Sequence, residues 1–250
     1  MHIYEAARHV ANRFGFDVCR VGRERLGRLL TADLVELTPK NGIILDVGAN
    51  TGRSARNFLK LFPKQEIWSF EPGSEAYAEL NAAPDLAGVK KFNIALSDRE
   101  GTATLNRFGG SEMNSLFQRS SRAELFVPDP ASISPKGTEE VKMTRLDTFC
   151  ESHHVKTVAM LKIDTQGHDL AVLRGAERLL ASGQVQVILC EINFSPLYEG
   201  QPSMGDIYSF LSSLGFGLVG LYDTARDGAG CLKWCDGLFR RRQDAPKAVA

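Results

Sequence analysis

Acids that close short apolar runs are the strongest chemical signal in this 250-residue chain. Ile43-Ile44-Leu45 leads into Asp46, then into Val47-Gly48-Ala49-Asn50-Thr51-Gly52. A buried strand, an acid and a glycine-flanked turn that opens a helix make a ligand cradle, because glycine lets a ligand approach the main chain closely. Trp68-Ser69-Phe70 ends likewise in Glu71, whose carboxylate can accept both hydroxyls of a ribose. Two ribose-bearing ligands are candidates, a nicotinamide dinucleotide and S-adenosylmethionine. The dinucleotide calls for G-x-G-x-x-G, so that pyrophosphate rests on a helix N-terminus. Here Gly48 and Gly52 enclose three residues, and Asp46 stands just before the turn. That anion would repel a pyrophosphate, but it suits the amino group and sulfonium of S-adenosylmethionine, directly or through water. The charge pattern favours the methyl donor. A structural strand and turn with a capped Asp46 is the plain alternative.

A second constellation is Leu161-Lys162-Ile163-Asp164-Thr165-Gln166-Gly167-His168-Asp169. Asp164 is expected at the end of a core strand, level with the donor pocket. A hydroxyl becomes a good nucleophile once its proton is accepted, and a carboxylate or a histidine near neutral pKa can do that. Asp164 and His168 are therefore candidate bases, and Glu191, after Val187-Ile188-Leu189-Cys190, is a further candidate catalytic acid. The structural alternative has Asp164 capping the next helix and His168 packed in its first turn. A divalent ion held by Asp164, Asp169 and Glu191 is a minor alternative, since such carboxylates serve equally to bind helix ends or substrate hydroxyls. No metal site is assigned. Cys231 and Cys235 lack a second pair, which argues against zinc. Asn193 and Tyr198 are candidates to line an acceptor pocket.

The blocks LDVGANTG, SFEP, NIALSDREGTATL, a short SL, TRLDTF, LKIDTQGHDLAVLRGA and CEIN resemble, in order and spacing, the FkbM-type methyltransferases over residues 42–239. The resemblance implies a class I, S-adenosylmethionine-dependent enzyme, mostly O-methylating sugars, glycans or polyketide-type products. It implies that Asp46, Gly48, Asn50 and Gly52 cradle the methionine end of the donor, that Glu71 holds the ribose, and that residues 95–98, Ala95 and Asp98 included, border the adenine. Family members often carry Glu where Gln166 stands, and glutamine cannot serve as a base. Rivals from other classes are a nicotinamide oxidoreductase and a catalytically silent module of the same fold.

These residues must be positioned by alternating elements. Apolar runs at 43–45, 66–70, 89–95, 158–163 and 185–190 read as strands buried on both faces. Residues 54–62, 74–83, 147–152, 169–181 and 204–214 carry helical stripes, with further strands at 102–108, 142–144, 217–222 and 238–240. Strand–helix alternation gives an α/β, doubly wound, mostly parallel sheet, and the resemblance implies its seven-stranded, Rossmann-like class I methyltransferase form. By resemblance, only the last strand runs antiparallel. Residues 1–40, with stripes at Ile3-Ala6-Ala7-Val10 and Leu26-Leu29-Leu30-Leu34-Leu37, read as a helical extension; 41–240 is the methyltransferase domain and 241–250 a disordered tail. Residues 109–140, rich in Ser, Pro and Gly, read as either a flap over the site or a floppy surface loop.

With 43% hydrophobic and 24% charged residues, the chain has the composition of a globular protein, not a disordered one. Thirty basic residues balance thirty acidic ones, which argues against a nucleic-acid partner. No apolar run approaches the roughly 20 residues that span a bilayer. The first residues do not read as a secretory signal, and five scattered cysteines make no disulfide framework. The expectation is a cytoplasmic enzyme with a small-molecule or glycan acceptor.

Overall fold

A computed structural model describes residues 26–242, together with Val10, Ala11, Arg13 and Phe14. The stripe at Ile3-Val10 and the tail from 243 onward lie outside the described residues, Val10 excepted. In chain order the elements are α1 (Leu30–Leu37), β1 (Ile43–Val47), α2 (Arg53–Leu61), β2 (Ile67–Phe70), α3 (Ser74–Ala82), β3 (Lys90–Phe92), β4 (Ala95–Ser97), β5 (Gly101–Phe108) and β6 (Pro135–Arg145). There follow α4 (Leu146–Ser152), β7 (Val158–Ile163), α5 (Asp169–Gly175), α6 (Glu177–Ala181), β8 (Val185–Asn193), α7 (Met204–Ser213), β9 (Phe216–Arg226) and β10 (Leu232–Arg241).

Seven strands form one sheet in the order β3-β2-β1-β7-β8-β10-β9. Pairs among β3, β2, β1, β7 and β8 are parallel, and β10 runs antiparallel to both β8 and β9. The central strands are apolar on both sides because helices cover both faces. On one face Ile44, Met160, Val187 and Leu238 pack with Leu34 of α1, Phe58 of α2 and Leu80 of α3. On the other, Leu45, Leu161, Ile163 and Ile188 pack with Phe149 of α4, Leu173 of α5, Leu180 of α6 and Leu211 of α7. Chain order reverses between β1 and β7, and the crevice outside the carboxyl ends of such a strand pair is where open α/β sheets bind ligands.

The structure corrects several expected boundaries. The single strand at 89–95 is two strands in two sheets. Asn93 donates from Nδ2 to the Glu71 and Pro72 carbonyls at 2.9 Å each, and beyond it β4 joins a separate three-stranded sheet, β4-β6-β5. The strand expected at 142–144 begins at Pro135, so the long connection is shorter than residues 109–140. The helix at 169–181 breaks between α5 and α6, where Gly175 lies so close to the Ser97 carbonyl that a Cβ would sit 1.8 Å from its oxygen. Leu29 faces solvent despite its place in the N-terminal stripe. Glu191 lies within β8 and not after it. Arg241 is the last residue of β10, stacked over Phe216 and donating to the Leu180 carbonyl, so it is no part of a tail.

The connection between β5 and β6 is folded. Single-turn helices at Ser111–Met113, Ala123–Leu125 and Pro130–Ile133 gather Ala123 and Ile133 with Phe108, Leu197 and Tyr198 into a small core of their own. No helix among the described residues is long and apolar enough to cross a membrane.

Gly48, at the end of β1, tests how tightly the two central strands close. Its φ is +74°, and a Cβ there would lie 1.8 Å from the Asp164 carbonyl oxygen. Gly48→Ala is expected to lower unfolding free energy by about 3 kcal/mol or more in urea titration. Gly88→Ala, with nothing within 4 Å of the added carbon, should stay within about 0.5 kcal/mol of wild type. Equal midpoints for the two variants would contradict this packing.

Candidate active site

A crevice of about 590 Å³ opens at the β1/β7 switch point. Its floor is Val47 and Gly48 from β1, Phe70 and Glu71 from β2, Asp164 after β7 and Glu191 from β8. Ile94, Ala95, Leu96 and Leu105 make one apolar wall, and Ser111, Asn114 and Ser115 of the long connection form the cover. The volume lies in the ordinary range for a small-molecule site.

Beneath that floor lies a buried ion pair. Parallel register sets Asp46 opposite Lys162 on β7 and opposite Ser69 on β2. Lys162 Nζ lies 3.2 Å from Asp46 Oδ1 and 3.6 Å from Asp164 Oδ2, and it donates to the Gly48 carbonyl at 2.9 Å. Burial works against the Lys162 charge, yet Asp46 and Asp164 outweigh it and raise its pKa above the usual lysine value. Asp46 has no exposed surface and does not line the crevice. It pairs with Lys162 beneath the floor. Sequence reasoning passed over Lys162; the signal was a cation inside a strand otherwise buried on both faces, which needs an acid in the neighbouring register.

The turn after β1 fixes Glu71. Asn50 takes the left-handed conformation at φ +47°, and its backbone N–H donates to Glu71 Oε2 at 2.8 Å. The Gly73 N–H donates to Glu71 Oε1 at 2.8 Å. Each carboxylate oxygen keeps a second acceptor site for a ligand hydroxyl. Burial pushes the Glu71 pKa up to about 7, against the pull of those two N–H donors. Asn50 also bonds Ser111 Oγ at 3.1 Å, which ties the cover to the turn. Gly52 does not reach the crevice wall; its φ is +90°, and a Cβ would meet Leu80 and Leu86 under α2.

Asp164 is 38% exposed at its side chain and stands at the crevice mouth. Gln166 Nε2 donates to Asp164 Oδ1 at 2.9 Å and to Glu191 Oε2 at 3.1 Å, clamping the two carboxylates around one amide. Tyr198 Oη donates to Gln166 Oε1 at 3.0 Å or to the Met113 carbonyl at 2.8 Å, and the first of these sets which way the amide faces. Gln166, offered by the sequence only as a departure from family pattern, is thus a positioning residue. Asn193 Nδ2 adds a donor to Glu191 Oε2 at 3.1 Å. Burial, then the charges of Asp164, Asp169 and Asp236, raises the Glu191 pKa well above the carboxylate range.

His168 lies at the crevice edge with Nε2 3.0 Å from Ser97 Oγ and its ring edge-on to Phe117. Burial lowers its pKa to about 4. Ala95 lines the apolar wall, but Asp98 does not reach the crevice; it bonds the Ser97 hydroxyl at 3.1 Å and pairs with Arg99. Asp169 turns back into its own loop, accepting from Thr165 N at 2.9 Å and Gly167 N at 3.1 Å. With Asp169 so engaged, the carboxylate triad considered for a divalent ion does not assemble. Among the described residues no group of three or more His, Cys, Asp or Glu converges as a metal site. Cys231 is exposed while Cys235 is buried.

Charge decides which nucleoside such a crevice takes. Glu71, Glu112, Asp129, Asp164 and Glu191 line it against the single cation Arg53. A ribose acceptor, an apolar slot for a flat base and acids for a positively charged chain fit S-adenosylmethionine, and the same acids disfavour a pyrophosphate. The model of the methyltransferase FkbM domain matches residues 46–218. The chain belongs to the FkbM methyltransferase family. This makes it an S-adenosylmethionine-dependent methyltransferase.

Among its relatives is the 2-O-methyltransferase NoeI of Sinorhizobium fredii, 29% identical over 191 residues that cover 74% of this chain and 76% of NoeI. The hexuronic acid methyltransferase AglP of Haloferax volcanii is 27% identical over 166 residues, covering 64% of this chain and 59% of AglP. A solved methyltransferase FkbM from Methylobacillus flagellatus KT superposes with a TM-score of 0.51 at 12% identity, over 86% of this chain and 48% of that one. The present chain thus spans about half the length of that FkbM structure, and the likeness bears on fold alone.

In this FkbM methyltransferase, Lys162→Met should leave Asp46 as an uncompensated buried charge and lower stability by about 3–5 kcal/mol. Adding Asp46→Leu should restore most of that loss; urea unfolding of both variants measures it, and a double variant no better than the single contradicts the pairing. His168 gives a pH test. Its folded pKa of about 4 lies below the ordinary 6.5, so the unfolded chain takes up the proton first as pH falls. Its stability contribution is whole above pH 6.5 and is lost as pH falls toward 4, by about 3 kcal/mol. His168→Gln should show a shallower acid loss over that window, and parallel wild-type and variant curves would refute it.

Proposed function

We propose that this enzyme transfers a methyl group from S-adenosylmethionine to a hydroxyl of a sugar or glycan. The observation that carries the reading is the acid-lined crevice at the switch point, with Glu71 at the end of β2 and Asp164 at the end of β7. The named activities of NoeI and AglP support the choice of a hydroxyl on a sugar.

When bound, S-adenosylmethionine supplies an electrophilic methyl group on a cationic sulfur. The chain's residues supply the rest. Glu71 accepts the ribose hydroxyls, and Ile94, Ala95 and Leu96 cover the adenine. Gly48 leaves the main chain open beside the methionine end. Asp164 accepts the proton of the acceptor hydroxyl. Its partly exposed carboxylate is held by Gln166 and lies 3.6 Å from Lys162 Nζ, which aims it at the crevice. Burial and the charges of Asp164, Asp169 and Asp236 favour the protonated form of Glu191 beside it. His168, with so low a pKa, is a packing and hydrogen-bonding group beside Ser97 in this scheme and not the base. Alignment of oxygen, methyl carbon and sulfur supplies much of the acceleration, and the cover from Ser111 to Ser115 excludes water.

Isothermal titration with S-adenosylmethionine and S-adenosylhomocysteine tests the reading. Both should bind, and NADH should not. Ionised Glu71 is the better hydroxyl acceptor, so affinity should rise with pH through about 7, the value its burial imposes. Glu71→Gln should bind more weakly, by about tenfold, and lose that pH dependence. Failure of the wild type to bind either ligand would overturn the proposal.

A further inference from the structure

A second cavity, of about 780 Å³, lies between α1, α2 and the β9–β10 hairpin. It shares Arg53, Asp164, Glu191 and Trp234 with the donor crevice, so the two spaces meet at the clamped acids. Its lining combines a broad aromatic ring with short polar side chains. Trp234 and Asp236 are two residues apart on β10 and so project from the same face. Asp223 and Thr224 of β9 and Asn57 of α2 add acceptors and donors. The Trp234 ring, with the Lys233 ammonium 4.5 Å from its centroid, stands beside carboxylates and the Asn57 amide, a lining that suits a sugar, because a sugar presents a C–H face and an edge of vicinal hydroxyls. The rim on α2 carries Arg53 and Lys60, both exposed and neither paired with an acid among the described residues. Arg56 on the same helix is engaged by Asp85 at 2.6 Å.

We infer that this second cavity is the acceptor groove and that it takes an anionic saccharide. The sugar rings lie along Trp234, Asp223 and Asp236, a carboxylate on the saccharide meets Lys60 and Arg53, and the hydroxyl to be methylated reaches Asp164 where the two spaces join. The inference rests on the methyl-transfer reading above and extends it by naming the groove, its rim and the charge of the acceptor. Asn57 and Lys60 belong to the groove and not to the donor crevice, which lets the two readings fail separately.

The test uses the full chain saturated with S-adenosylhomocysteine. The probes are a tetrasaccharide of alternating glucuronic acid and N-acetylglucosamine and the neutral N-acetylglucosamine tetramer, each titrated calorimetrically. The acidic probe should bind more tightly than the neutral one. Lys60→Glu should weaken it by about tenfold through charge reversal at the rim, and Asn57→Trp should abolish binding by filling the groove. Both variants should keep wild-type affinity for S-adenosylhomocysteine, which also reports that they fold. Absence of acidic-probe binding to the loaded wild type, equal binding of both probes, or binding unmoved by Asn57→Trp would each overturn the groove. A wild type that does not bind S-adenosylhomocysteine would instead overturn the methyl-transfer reading, and the groove with it.

Discussion

Lys162 places a positive charge in the interior of a parallel sheet, a position that would be untenable without the acids around it. Asp46 meets it in register from β1, Asp164 caps it from the end of its own strand, and the Gly48 carbonyl completes the shell. This one cation lets several carboxylates converge where β1, β7 and β8 end and the antiparallel β10 begins. Without it Asp46, Asp164, Glu191 and Asp236 would repel one another across a low-dielectric interior. Asp236 shows what remains of that repulsion: burial first, then the Asp164 charge, raises its pKa to about 7. The pair is costly to desolvate and adds little net stability of its own. What it supplies is placement, fixing the end of β1 against the end of β7 and so the floor of the crevice.

From that floor the site is built outward by short-range contacts. The left-handed Asn50 aims a backbone N–H at Glu71, and the same residue's side chain holds Ser111 of the cover. Gln166, also left-handed at φ +53°, presents its amide to two acids while its carbonyl accepts from Ser115 Oγ at 2.7 Å. Both turns therefore bind a floor acid and a cover residue at once. The long connection is held by its own apolar core and by polar ties that include these two.

Much of this was legible in the residues because buried parallel strands announce themselves as apolar runs, and acids at their ends stand out. The doubly wound sheet was read that way, and Glu71 and Asp164 stand at the strand ends the runs marked, lining the crevice. Three features were hidden for physical reasons. Lys162 sits inside an apolar run, and its partner is distant in sequence though adjacent in register. The strand at 89–95 looks continuous, but Asn93 spends its side chain on the carbonyls after β2 and turns the chain into a second sheet. The start of β6 is masked by Pro135 and Gly137, residues that signal loops, although this strand pairs only with the short β4 and with β5 in a largely exposed ribbon. Asp46 shows the converse. Its position before the turn suggests a place on the crevice wall, whereas register sets it beneath the floor, paired with Lys162.

The most direct measurement of the central claim is heteronuclear NMR of the Lys162 side chain across a pH titration. With selectively labelled lysine, surface ammonium groups should titrate near the ordinary value of about 10.4. The Lys162 resonance should remain that of a charged ammonium beyond the point where the others have lost their protons. A Lys162 that deprotonates at or below the value of its exposed neighbours would contradict the charge arrangement on which the site rests.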